Sequence, residues 1–134
     1  MLSEYMKRAI EIGKQGNDPT TKNGAIIVGP DGKILAEGFT HLPPGYFGLP
    51  DPTDKTLSVH AEVDALFKLK PLPAPKGTTL YSVFEPCTNC LKFILYAGID
   101  TVHFVDPITP KWTEANRQLY IQALGIKLIR EYRE

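Results

Sequence analysis

The chain has 134 residues, 43% hydrophobic and 22% charged, a size and composition that suit one globular domain over residues 1–134 with a real core. Fifteen basic residues balance fifteen acidic ones, so no overall field draws the chain to nucleic acid or to a membrane surface. No run approaches the ~18 apolar residues of a membrane span, and Met1-Leu2-Ser3-Glu4 does not open a secretory leader. Cys87 and Cys90 are the only two cysteines. Their spacing suits a metal or redox site rather than a disulfide framework, and a reducing, cytoplasmic setting is expected.

Residues 3–15 carry Tyr5, Met6, Ala9, Ile10 and Gly13 at helical spacing and predict an amphipathic helix, ended by Asn17-Asp18-Pro19. Ala25-Ile26-Ile27-Val28 and the run from Lys33 to Phe39 flank Gly29-Pro30-Asp31-Gly32, the pattern of a β-hairpin. Residues 40–57, rich in proline and glycine, predict a long irregular loop of the kind that serves function. A second helix is expected over 60–69, a strand over 78–83 and a third helix over 87–97. That third helix is apolar nearly all round, through Leu91, Phe93, Ile94, Leu95 and Ala97, which predicts deep burial. Gly98 is its expected cap. A strand over 102–105, a helix over 112–124 capped by Gly125 and a strand over 126–129 complete the order αββαβαβαβ. That order argues for a sheet with helices on both faces, its hairpin antiparallel and its later strands parallel.

The chemistry gathers at His60-Ala61-Glu62 and Pro86-Cys87-Thr88-Asn89-Cys90. His60, Cys87 and Cys90 offer three zinc ligands, which leaves a tetrahedral ion one open position for water. Glu62 is a carboxylate the metal does not need, so it is available to move protons. His60 and Glu62, two apart, would not share a face of a long helix, whereas Cys87 and Cys90 would. At helix N-termini all of them can still reach one ion, and the positive end of each helix favours thiolate. Pro86 stands where a helix can begin without losing a hydrogen bond.

Each piece alone has a plainer reading. Cys-x-x-Cys by itself suits structural zinc or a redox pair, a lone histidine suits the core, and a first-turn glutamate suits the helix dipole. Their occurrence together, in order, each opening a predicted helix after turn-rich sequence, favours catalysis. A non-catalytic zinc-stabilised module is the rival of a different class. Glu62 argues against it, since structural sites tend to be closed by four protein ligands.

His60-Ala61-Glu62 followed by Pro86-Cys87-x-x-Cys90 resembles the signature of the zinc-dependent cytidine and deoxycytidylate deaminase superfamily. Asp18-Pro19-Thr20-Thr21-Lys22-Asn23-Gly24-Ala25, Ala97-Gly98-Ile99 and Ala123-Leu124-Gly125-Ile126 are similar to the deoxycytidylate deaminase branch. The resemblance implies a three-layer α/β/α fold of the cytidine-deaminase type with a five-stranded mixed sheet. It also implies hydrolytic deamination at C4 of a cytosine nucleotide, dCMP to dUMP plus ammonia. Zinc would sit on His60, Cys87 and Cys90, with Glu62 as the proton shuttle. The backbone N–H of Ala61 would hold the ring carbonyl, and the backbone carbonyl of Glu85 the departing amino group. Homo-oligomers are common in the family.

The chain departs from that branch in places. Asn23 stands where valine is usual, and is expected either to contact the sugar or base or to be structural. Gly38-Phe39-Thr40-His41 replaces the usual end of the second strand, so Thr40 borders the expected pocket. Glu85-Pro86-Cys87 looks more like the adenosine deaminases acting on transfer RNA. Trp112 either stacks on a base or packs in the core. Lys22, Lys55 and Lys111 are near the loops expected to rim the pocket, where a phosphate needs cationic partners, although each alone suits a solvated surface lysine better. A deaminase of another nucleoside, a free base or transfer-RNA adenosine is the nearest alternative; the balanced charge speaks against an RNA substrate.

Overall fold

The computed structural model describes residues 1–16, 22–42, 58–70, 72–107 and 114–133. The elements within them follow the expected order: α1 (Glu4–Gly13), β1 (Gly24–Val28), β2 (Ile34–Phe39), α2 (Ala61–Phe67), β3 (Thr79–Phe84), α3 (Thr88–Tyr96), β4 (Thr101–Asp106), α4 (Glu114–Leu124) and β5 (Lys127–Arg130). The strands form one mixed sheet in the order β2-β1-β3-β4-β5. β1 is antiparallel to both β2 and β3, whereas β3, β4 and β5 run parallel. The two kinds of connection explain this. A four-residue turn, in which Gly32 N–H bonds Gly29 O at 3.0 Å, can only reverse the chain. A crossover through α3 returns it in the same direction.

Alternation along the strands builds two cores. Ile26, Val28, Val83 and Val105 pack with Met6 and Ala9 of α1 on one face. Ala25, Ile27, Leu80 and Val102 pack on the other, against Ala61 and Ala65 of α2 and Cys90, Leu91 and Ile94 of α3. β1 is buried along its whole length because it has helices above and below and a strand on each side. The helix ends lie within a residue or two of those expected. Ser3 Oγ accepts the Met6 N–H at 3.1 Å to cap α1. Gly98 and Gly125, after α3 and α4, have φ of +93° and +66°, the left-handed conformation that closes a helix.

One expectation needs correction. α3 is not buried all round. Cys90, Leu91 and Ile94 face the sheet, but Phe93 is half-exposed and Tyr96 is 92% exposed. With Phe67 and Leu72, both exposed, and Val63, Leu66 and Ala97, they line an apolar cavity of about 190 Å³. The all-round apolar pattern marks two surfaces, one toward the sheet and one facing outward. The predicted loop falls mostly outside the described residues, as do Asp18–Thr21, Lys55, Lys111 and Trp112.

Candidate active site

Three chain crossings meet at the ends of β1, β3 and α2. Thr40 N–H bonds Asn23 O at 3.1 Å, and His41 and Val59 exchange backbone hydrogen bonds at 3.2 and 2.7 Å. The segment leading into α2 is thereby stitched to the end of β2. On the other side, Glu85 N–H bonds Asp106 O at 2.8 Å, which aligns the exit of β3 with β4 just ahead of α3.

His60 and Cys87 are the N-cap residues of α2 and α3, each in extended backbone, and neither side chain caps its helix. That position ordinarily carries Ser, Thr, Asp or Asn, whose side chain bonds back to the helix. Here both side chains turn toward each other instead. His60 Nδ1 lies 3.1 Å from Cys90 Sγ and 3.7 Å from Cys87 Sγ, and the sulfurs are 3.5 Å apart. The three ligand atoms fall within 4.8 Å of one another.

The separations of 3.7 and 3.5 Å to and between the sulfurs match a zinc site, and that of 3.1 Å is shorter. A tetrahedral site with Zn–S about 2.3 Å and Zn–N about 2.0 Å spaces its ligand atoms about 3.5–3.8 Å apart. A disulfide would need the sulfurs about 2.05 Å apart, and both cysteines are free. The charge state agrees. Hydrogen bonds with Cys90 and then His60 hold the Cys87 thiol down to about 4. The same contact with Cys87, followed by burial, pushes Cys90 up. The hydrogen bond with Cys87 raises the His60 imidazole, against the effect of burial. A cation held between them would satisfy both sulfurs.

Glu62 is 2% exposed, with Oε1 accepting Asn23 Nδ2–H at 2.9 Å. Burial pushes its carboxyl up, with opposing contributions from a backbone N–H and from His60. A group that must take a proton and return it needs such a shift. The site therefore sets a cluster able to hold a metal ion beside a buried carboxyl group of raised proton affinity.

The remaining expected residues are placed as follows. Ala61 opens α2 and is fully buried, and Thr40 and Glu85 are 5% and 1% exposed. Asn23 is 6% exposed, and both ends of its amide meet protein: Nδ2 meets Glu62, and Oδ1 accepts Phe84 N–H at 3.1 Å. Lys22 Nζ donates to Gly16 O at 2.5 Å. Trp112 lies outside the described residues. The apolar cavity on α2 and α3 is lined by none of these residues; here the donor atoms identify the site.

Asp64 was not anticipated. Its Oδ2 accepts Phe39 N–H at 3.1 Å and Lys68 Nζ at 3.0 Å, and its Oδ1 lies 2.9 Å from His41 Nε2. It thus fastens α2 to the end of β2. The only trace in sequence is the i,i+4 spacing of Asp64 and Lys68; His41 joins them only through the fold.

Comparison with known proteins agrees with this geometry. The family described as the cytidine and deoxycytidylate deaminase zinc-binding region matches residues 1–106. A probable deoxycytidylate deaminase of Drosophila melanogaster is 28% identical, over 92% of this chain and 68% of its own length. Human deoxycytidylate deaminase is 30% identical, over 75% and 62%. The chain thus spans about two thirds of these curated relatives. The dCMP deaminase of the cyanophage S-TIM5, solved in complex with dCMP and dUMP, superposes with a TM-score of 0.79 at 27% identity, over 98% of this chain and 100% of that one.

Proposed function

The chain belongs to the zinc-binding cytidine and deoxycytidylate deaminase family, and from that premise we propose that it converts dCMP and water to dUMP and ammonia. The observation that carries the proposal is the buried Glu62 carboxylate, oriented by Asn23, beside a His60–Cys87–Cys90 cluster of zinc-site dimensions. The cyanophage enzyme with dCMP and dUMP bound, and the curated deoxycytidylate deaminases, support this substrate over the other cytosine compounds.

In this reading His60 Nδ1 and the Cys87 and Cys90 sulfurs hold the zinc. When bound, that ion supplies Lewis acidity able to lower the pKa of a coordinated water to about 7. Glu62 takes a proton from the attacking water and passes it to the base, and the amino nitrogen departs from C4 as ammonia. Burial helps in both steps. It raises the proton affinity of the carboxyl and excludes bulk water that would short-circuit the transfer. Ala61 N–H holds the ring carbonyl and the Glu85 carbonyl holds the departing amino group. Thr40 borders the pocket. The free, paired thiols suit a reducing compartment such as the cytoplasm.

Assembly follows from the outward face of α2 and α3. Phe67 and Tyr96 are 83% and 92% exposed beside an apolar groove. One face that carries both a groove and rings to fill it can pair with itself about a two-fold axis. We take a second copy of this chain as its partner.

The test uses zinc-loaded protein offered cytosine, cytidine, deoxycytidine, dCMP, dCTP and transfer-RNA adenosine, with ammonia as the readout. Release from dCMP alone is expected; release only from adenosine would reject the substrate. Glu62→Gln should keep its zinc and lose at least about 10²–10⁴-fold in turnover. Undiminished turnover in that variant would reject the mechanism.

A further inference from the structure

Asn23 stands one residue ahead of β1, 39 positions from Glu62, yet the two side chains meet at 2.9 Å. Both are almost fully buried. The orientation of the amide follows from its second contact. Phe84 N–H, at 3.1 Å, can only donate, so the atom facing it is the acceptor Oδ1. Ser82 Oγ lies 3.5 Å from the same oxygen while donating to Phe84 O at 2.7 Å. The main chain of Asn23 is held as well, by Thr40 N–H on its carbonyl at 3.1 Å. The Nδ2–H pointing at Glu62 is therefore set by a backbone group at the end of β3 and cannot rotate away without leaving Phe84 N–H unpaired.

We infer that Asn23 is the positioning residue of the proton carrier: its Nδ2–H, aimed by Phe84 N–H, holds Glu62 Oε1 and so fixes the orientation of the carboxyl group beside the His60–Cys87–Cys90 cluster. An amide N–H can only donate, so this contact sets the plane and reach of the carboxyl independently of the substrate. Displacements of about 1 Å in such groups cost about 100-fold in rate. The inference rests on the deaminase reading for its rate prediction, but not for the contact itself.

The variant Asn23→Asp keeps the size of the side chain and an acceptor for Phe84 N–H, and replaces only the donor to Glu62. In zinc-loaded protein it should lower kcat on dCMP about 100-fold or more, leave KM within about threefold and retain bound zinc. Two facing carboxyl groups should also lower the melting temperature by about 5 °C or more. Adding Glu62→Gln restores a hydrogen bond of reversed polarity, from the glutamine amide to the aspartate. The double variant should then melt several degrees above Asn23→Asp alone. This comparison still decides if the single variant folds poorly, since the second substitution should recover folded protein. A rise in KM with kcat preserved would make Asn23 a substrate contact and overturn the proposal. A double variant that melts no higher than Asn23→Asp would overturn it too. If wild type releases no ammonia from dCMP, the substrate reading fails while the melting comparison still tests the contact.

Discussion

His41 makes more hydrogen bonds than a neutral imidazole can donate. Its Nδ1 faces Leu42 O at 2.6 Å and its Nε2 faces Asp64 Oδ1 at 2.9 Å, both acceptors. The charged form satisfies both. The hydrogen bond to Asp64 and then that to Leu42 accordingly raise the His41 pKa above its ordinary 6.5. Burial alone would push Asp64 up, but the bonds from His41, Lys68 and Phe39 N–H outweigh it and hold Asp64 below 3.8. The signs follow by linkage. The His41 contribution is complete below about pH 6.5 and disappears as pH rises through the raised folded value. The Asp64 contribution is complete above about pH 4 and disappears as pH falls through the lowered one. The pair therefore supports the fold most between about pH 4 and 6.5. The urea midpoint of wild type should fall relative to that of His41→Asn as pH rises from 6 to 9, and parallel midpoints would remove His41 from the account. The contact of His41 with a residue 23 positions away along the chain leaves no local pattern in the sequence. His103, on β4, has its Nδ1 2.9 Å from Glu131 Oε2. That same carboxylate accepts Ser3 N–H at 2.7 Å, joining the cap of α1 to the end of the chain.

Among the elements, α1 and β1 approach most closely at Gly24. A Cβ there would overlap the Ala9 carbonyl and come within 2.6 Å of Gly13 N. Both neighbours are backbone and cannot turn aside. Gly24→Ala should cost about 1–3 kcal/mol through overpacking, measured by denaturant midpoint. A neutral result would mean that α1 can slide outward. Gly24 also follows Asn23 directly, so a shift of α1 would be felt at Glu62. This element pattern was readable. Gly-Pro-Asp-Gly between two apolar runs dictates a hairpin through local backbone preference alone. Helix and strand periods differ enough to separate the elements that follow. Element ends moved by a residue or two, as at α2, expected over 60–69 and observed at Ala61–Phe67. His60 and Cys87 are N-caps rather than helical residues, and that small shift lets their side chains leave the helix and face one another.

For the molecule as a whole, the outward face of α2 and α3 is the feature that burial in one chain does not explain. Phe67, Leu72, Phe93 and Tyr96 stand exposed together, and a patch of this kind on a stable protein marks a contact. Tyr96→Arg should convert the assembled protein to a smaller species in light scattering without altering zinc content. A wild type that is already monomeric would reject the second-copy proposal. Among the described residues no helix is long and apolar enough to cross a membrane.

Residue types and their spacing alone determined the order of elements, the hairpin and the caps at Gly98 and Gly125, and singled out His60, Cys87, Cys90 and Glu62 as one constellation. Each of these depends on neighbours a few positions away, or on a donor set whose chemistry serves few other purposes. Only the tertiary structure decided that Asn23 addresses Glu62, that Asp64 gathers His41 and Lys68, and that half of α3 faces outward. Those outcomes depend on which strand lies beside which. β3 inserts next to β1 rather than β2, and no period within one segment can encode where another segment will lie.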